Sequence, residues 1–586
     1  MTQSPMHHAP AVVDSRRLMG PNLYSSSTGA ALEVAVEQHQ AAALFDRWQQ
    51  QARRLAHALG WPVPELHVRP QRGGASLFLS APVDVLMSAT ELTEQAWALA
   101  EQSLPGGGDV IDASDPVVVR LATLATTERH DHSNLAEVYA AAVARDILAT
   151  FDDEVFTLGS GARARSWPLA GIPAEHDVPW EEISDVPIAL VTGSNGKTTT
   201  TRLVAAMWRA SGGAPGWCCS DGVWIGDAQV EEGDYSGPMG ARRVVRAPEV
   251  DGAILECARG GMLRRGLAVS RAHAAIITNI VEDHFGEYGI ESLDDLTAAK
   301  RIVERVLSPE GWLVLNADDP HLTEVATRSR ARVALFSAAP THDALDAHVD
   351  GGGHAALVRE GRVMLRREGA WHDLGHVDDM PLTMRGAAPH NVQNILGAAL
   401  LATGIGASVD GMRKALASFG ASSRDNPGRL QRYEFGGVVV LVDYAHNPDG
   451  LAALCETARS IPATRRLLLL GQAGNRNDEE IRDLARVAMR LLPFDYVIIK
   501  EELKLLRGRS EGDVPRLLLD ELDRLGMPTA HVETTLDEIV AMRRAFEWAR
   551  AGDLLVCPIH VEKAHVLGWL GRVGVADWAP GQPLPA

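Results

Sequence analysis

Residues 192–198 read Thr192-Gly193-Ser194-Asn195-Gly196-Lys197-Thr198, between an apolar run over 188–191 and a helical pattern that opens at Lys197. A strand, a glycine-rich turn and a Lys-Thr at a helix start make a cradle for phosphate. Backbone N–H groups and the helix N-terminus face the anion, the lysine meets the outer phosphates and the hydroxyl meets Mg²⁺. On this reading Gly193, Ser194, Asn195, Gly196, Lys197, Thr198 and Thr199 bind a nucleoside triphosphate. The turn carries Val191 where the general G-x-x-x-x-G-K-[ST] pattern has its first glycine.

Further polar residues follow apolar runs. Glu256 ends the run over 252–256, at the carboxyl end of a strand, where open α/β sheets bind ligands; taken alone it reads equally as an Mg²⁺ ligand and as a surface glutamate. Asp283-His284 follows the run over 274–279 and reads either as a second metal-binding pair or as a helix cap and loop. Lys300 lies on the apolar stripe of a helix expected over 291–307, with Leu296 and Val303, so its ammonium must snorkel out, be paired or lose its charge. Asp443-Tyr444-Ala445-His446-Asn447-Pro448 follows the run over 438–442. Asn447 and Pro448 suit a helix cap and first turn, which leaves Asp443 and His446 free for ligand contact. Gly471-Gln472-Ala473-Gly474-Asn475-Arg476-Asn477-Asp478 reads as a turn with Asp478 as helix cap, or as an anion-binding loop using Arg476.

From 187 onward apolar runs alternate with helical patterns, which predicts parallel strands with crossover helices. Strands are expected at 188–192, 252–256, 274–279 and 311–316, with a small β element at 331–384 on the side of this domain. A boundary is expected at Asp425-Asn426-Pro427-Gly428, and further strands at 438–442, 467–470, 496–500 and 554–558. Ahead of this, 1–20 reads as a frayed end whose His7 and His8 belong to a polar tail. Residues 21–150 read as a smaller α+β domain: helices at 41–59, 92–104 and 134–151, strands at 76–79 and 82–87, a break at Pro105-Gly106-Gly107-Gly108, and Asp131 or Ser133 as a helix cap. Residues 151–186 read as a linker with a short strand. The expected domains are therefore 21–150, 187–425 and 426–586.

At 586 residues the chain exceeds one core and fits about three or four domains. Its net charge of −20 argues against nonspecific nucleic-acid binding and against an anionic membrane surface. Five scattered cysteines make no disulfide framework and no C-x-x-C pair, and no apolar run is long enough to span a bilayer, so the cytoplasm is the default expectation.

Taken in order, these pieces resemble the Mur ligase family. The resemblance rests on the phosphate loop, Glu256, Asp283-His284, the Lys300 helix, His390-Asn391-Val392-Gln393-Asn394, Asn426-Pro427-Gly428-Arg429 and the Asp443–Pro448 stretch. Glu256–Gly266, Glu282–Gly286, Asp221-Gly222, Lys500-Glu501-Glu502 and Arg507-Gly508-Arg509 are similar to the Mur-like half of cyanophycin synthetases, over about 186–570.

The resemblance implies an α/β fold: a P-loop parallel-sheet central domain and a Rossmann-like C-terminal domain. It implies an ATP- and Mg²⁺-dependent ligase, in which ATP phosphorylates a carboxylate, an amine attacks the acyl phosphate, and an amide, ADP and phosphate leave. Carried over residue by residue, Thr198 and Glu256 bind Mg²⁺ and His284 a second ion. Lys300 fits the place of a carbamylated lysine that partners metal. Asn391 and Asn394 contact adenine, Asp443 the ribose and Arg429 the phosphates, with His446 near the reacting groups. The implied partners are a small-molecule or peptide carboxylate and an amine, in a homo-oligomer. Full cyanophycin synthetases carry an ATP-grasp domain that adds aspartate, whereas 151–186 is shorter than the roughly 50 residues a domain needs. The resemblance thus implies only the step that joins arginine to an aspartyl side chain. A cell-wall or folate-type ligase and a nucleotide-gated scaffold are the alternatives.

Overall fold

The computed structural model describes residues 10–102, 114–283, 285–501 and 503–585. His7, His8, Pro105–Gly108 and His284 lie outside the described residues. Among the described residues no helix is long and apolar enough to cross a membrane.

The centre of the molecule is an eleven-stranded sheet. Its parallel middle runs Pro215–Cys219, Gly252–Glu256, Ile188–Thr192, Ala272–Ile277, Leu307–Asn316, Arg332–Ser337 and His354–Arg359. Hairpins add antiparallel strands at both edges. Successive side chains of a strand point to opposite faces, and both faces here are covered. Ile188 and Leu190 join one buried cluster, while Ala189 and Val191 join the other with the helices Lys197–Ala210 and Pro389–Gly404. Burial on both sides explains why these strands read as unbroken apolar runs rather than alternating ones.

Residues 331–384 are not a side element. Arg332–Ser337 pairs in parallel with Leu307–Asn316, Leu335 opposite Leu315, and the chain then continues the same sheet through Arg362–Arg367 and Ala370–His376. The buried Ala334, Leu335 and Phe336 fix the first of these strands; the later ones are half-solvated and look like a separate piece in sequence.

The C-terminal sheet is ordered Gln431–Phe435, Val438–Asp443, Leu554–Pro558, Arg466–Leu470, Tyr496–Lys500, Val532–Thr535, parallel except for its first pair. The N-terminal sheet is antiparallel, in the order Ala11–Leu18, Gly29–Ala35, Gly74–Ser80, Leu66–Gln71, with helices Gln38–Ala58 and Leu86–Gln102 on it, so that 11–18 is a paired strand and not part of a frayed end.

Several local expectations are corrected. Residues 151–186 are more than a linker: Ala149–Phe151, Val155–Leu158 and Arg165–Pro168 form a three-stranded sheet, and Phe156, Leu158, Ile172 and Val178 enter the N-terminal core. The run over 82–87 is a turn closed by Val85 N–H on Pro82 O (3.2 Å) that feeds a helix from Leu86; a short apolar run does not distinguish the two. The helix expected over 134–151 is Leu135–Ala144, ended by a turn in which Asp146 takes φ 55°. Its N-cap is Asn134, not Asp131 or Ser133. The helix expected over 291–307 stops at Lys300 and passes into a 3₁₀ turn, Arg301–Val306. Asn477, not Asp478, caps Asp478–Leu491, through a capping box with Glu480.

Candidate functional site

The strand Ile188–Thr192 runs into the turn, and Gly196 becomes the N-cap of Lys197–Ala210 with no side chain capping it. The first helical N–H groups therefore face the cavity above the strand ends, as anion binding requires. Two glycines are sterically required. A Cβ on Gly193 (φ 146°) would lie 1.8 Å from Thr278 Oγ1, and one on Gly196 (φ 83°) 2.3 Å from Asn394 Oδ1. The turn is held from the neighbouring strand end: Asn195 N–H donates to Asn279 Oδ1 (2.8 Å), Thr278 Oγ1 to Asn195 O (2.6 Å) and Ser194 N–H to Asn279 O (3.0 Å). Lys197 Nζ curls back to donate to Ser194 O at 2.8 Å.

Thr198 Oγ1 donates to Glu256 Oε2 at 2.9 Å, and Arg429 Nη2 reaches Thr198 Oγ1 (3.4 Å) and Ser220 Oγ (3.2 Å). Glu256 is only 2% exposed. Burial raises its pKa, and Lys197 and Arg429 pull it back. Hydroxyl and carboxylate oxygens this close are hard donors of the kind Mg²⁺ takes, so Thr198 and Glu256 fit that ion. Arg429 also lies over the Tyr444 ring, 4.3 Å to the centroid.

Ser194 to Thr199, Glu256, Asn391, Asn394, Arg429, Asp443 and His446 line one cavity of about 760 Å³. Gly193, Asp283 and Lys300 line a second, of about 960 Å³, and Lys197, Ser236, Ala258 and His446 line both. The two cavities thus meet at the phosphate loop. On the first cavity's wall, Asn391 Nδ2 donates to Leu382 O (3.0 Å), Asn394 Nδ2 to Asn391 Oδ1 (3.0 Å), and the Leu430 N–H to Asp443 Oδ2 (2.6 Å).

Lys300 is 2% exposed at the end of its helix, so it does not snorkel. Burial, together with Lys197, holds its pKa well below the usual lysine value, although Asp283 opposes this. Burial, and beyond it Lys197, likewise pushes His446 down to about 4 against the pull of Asp283 4.0 Å away, so its ring is neutral at pH 7.

Sequence reasoning missed Ser220, which no spacing marks, and the partner of Arg476. Its guanidinium is buried against Asp283 (3.4 Å), an anion of the protein itself.

The arrangement puts a phosphate cradle, a hard-cation donor pair and a second chamber side by side. Cyanophycin synthetase of Trichormus variabilis is 36% identical over 403 residues, 68% of this chain and 44% of that protein. The chain thus spans less than half the length of this relative. The UDP-N-acetylmuramoyl-L-alanyl-D-glutamate--2,6-diaminopimelate ligase of Chlorobaculum tepidum is 29% identical over 394 residues, 62% of this chain and 70% of that one. A solved structure of E. coli FolC in complex with ADP, without folate substrate, aligns at 17% identity and a TM-score of 0.46, covering 66% of this chain and 90% of that one. Residues 191–402 match the Mur ligase middle domain and residues 428–558 the Mur ligase, glutamate ligase domain. With more than half of its length inside these two matches, the chain belongs to the Mur ligase family.

Proposed function

We propose that the protein is an ATP-dependent carboxylate–amine ligase that works through an acyl phosphate. The observation that carries this is the meeting of the two cavities at Lys197 and His446. A triphosphate in the first chamber, its terminal phosphate on the loop, faces whatever occupies the second. Phosphoryl transfer is mainly a matter of positioning and charge neutralisation. Lys197 and the helix N-terminus supply fixed positive charge, Arg429 bridges to the same loop from the C-terminal domain, and Asn391, Asn394 and Asp443 bound the nucleoside end. Thr198 and Glu256 would hold Mg²⁺, which neutralises phosphate charge when bound.

Lys300 reads as the carbamylation site. Burial holds its pKa well below the usual lysine value, which favours the neutral amine, the form that adds CO₂ to give a carbamate and a proton; the product is an anion next to Lys197. His446, neutral and near the junction, serves as a hydrogen-bonding group rather than a cation. An aspartyl-type carboxylate and a basic amino acid such as arginine are the pair the sequence resemblance implies. Incubation with ATP and a matrix of acids and amines should release ADP and phosphate only when both substrates are present, with the amide seen by mass spectrometry. Turnover indifferent to the amine would overturn the reading.

A further inference from the structure

Two buried cations of the second cavity have no part in this reaction, Arg259, which is paired with Glu287, and Arg242. Arg242 sits on the helix Pro238–Val245, is 9% exposed, and its Nε is buried without a hydrogen-bond partner. Its Nη2 reaches Met19 Sδ at 3.9 Å, and thioether sulfur is a weak acceptor. Among the described residues no carboxylate pairs with it. Arg246, one turn on, is the contrast: it pairs with Asp152 and donates to Thr157 Oγ1 (3.0 Å) and Val155 O (2.9 Å). The cavity's acids are largely committed elsewhere, Asp153 to Arg17 and Glu287 to Arg259. Burial lowers the Arg242 pKa to about 10, with Asp152 opposing, which still leaves it charged at neutral pH.

A buried guanidinium without an anion is among the costliest arrangements a fold can keep. Its planar fork matches a carboxylate two bonds at a time. We propose that Arg242 is a specificity-determining residue that takes a second, non-reacting carboxylate of the acid substrate. The proposal rests on the ligase reading, with the reacting carboxylate at the Lys197 end of the same cavity. It also gives the N-terminal domain a part in recognition, since that domain supplies Met19 behind the guanidinium and Asp152 to hold Arg246.

The test uses the full chain and two probes: N-acetyl-aspartate, with two carboxylates, and its α-amide, with only the side-chain one. Calorimetric titration of wild type, Arg242→Gln and Arg242→Lys, with ATP affinity measured alongside to show an intact fold, reads binding without turnover. Losing charged hydrogen bonds of this kind costs about tenfold or more in affinity. We expect Arg242→Gln to weaken N-acetyl-aspartate by that factor, Arg242→Lys by less, and neither to alter ATP or the already weaker α-amide. Equal binding of N-acetyl-aspartate to Arg242→Gln and wild type overturns the proposal, as does failure of wild type to bind it at millimolar concentration. Binding as expected without phosphate release that depends on acid and amine would overturn the ligase reading and leave the carboxylate site standing.

Discussion

Asn195 and Asn447 exchange amide hydrogen bonds between the phosphate loop and the C-terminal domain: Asn195 Nδ2 donates to Asn447 Oδ1 at 3.2 Å, and Asn447 Nδ2 donates to Asn195 Oδ1 at 3.0 Å. Asn447 Oδ1 also accepts the Gly450 N–H (2.8 Å) as N-cap of Pro448–Arg459. One side chain thus starts a helix in one domain and steadies the nucleotide turn of another. The two roles separate by substitution. Asn447→Asp keeps the capping oxygen and loses the donor to Asn195; Asn447→Ala loses both, including a cap worth about 1 kcal/mol. In thermal melts Asn447→Asp should stay near wild type while Asn447→Ala falls, and both should raise the KM for ATP. An Asn447→Asp enzyme with unchanged kinetics would show that the inter-domain pair does not matter.

The turn itself makes a second prediction. Gly196→Ala places a Cβ against Asn394 Oδ1 in a left-handed backbone, at a cost of about 1–3 kcal/mol. Because Asn394 lines the nucleotide cavity, nucleotide affinity should drop along with stability. Lys197→Ala is the complement. It removes a cation without strain, so the melting temperature should hold while kcat falls by about 10²–10³, as for other lost charge-stabilising donors.

How much of this is legible in the sequence follows from burial. Ile188–Thr192 and Gly252–Glu256 are apolar throughout because both sheet faces are covered, and their limits can be read directly. The last two strands of the sheet, Arg362–Arg367 and the edge strand Ala370–His376, carry arginine and histidine on a solvated face and look like something apart from the sheet. The phosphate loop is legible because its chemistry is local. The Asn195–Asn447 exchange spans 252 positions and has no local trace. Arg242 is illegible for a different reason: it lies beside Arg243 in a short helix, where either arginine could face water, and only the packing of Met19 shows which does not.

Acid stability makes a third prediction. Burial pushes both His390 and His446 down to about 4 from an ordinary 6.5. Between those limits the unfolded chain binds protons that the folded one refuses. Stability is therefore lost as pH falls from 6.5 toward 4, and each histidine is worth on the order of 1–3 kcal/mol over the window. Urea midpoints measured from pH 7 to pH 4.5 should fall for wild type. The decline should be shallower for His390→Gln and for His446→Asn. Parallel curves for all three would contradict the neutral state of these half-buried rings.

Lys300 has the same sign in a higher window. Its folded pKa lies well below the ordinary 10.5, so between the two the unfolded chain binds more protons and stability rises with pH. Near neutrality the lysine is thus a burden on the fold, and Lys300→Met, which matches its length without a charge, should be the more stable protein at pH 7. The gap between the two should close as pH approaches 10, and added bicarbonate should stabilise only the wild type, since carbamylation turns the buried amine into an anion facing Lys197. Activity should move the other way, with Lys300→Met losing turnover while it gains stability. A Lys300→Met variant less stable than wild type at pH 7, with a gap that does not change with pH, would mean that the ammonium is satisfied in the folded state and that no neutral amine waits there.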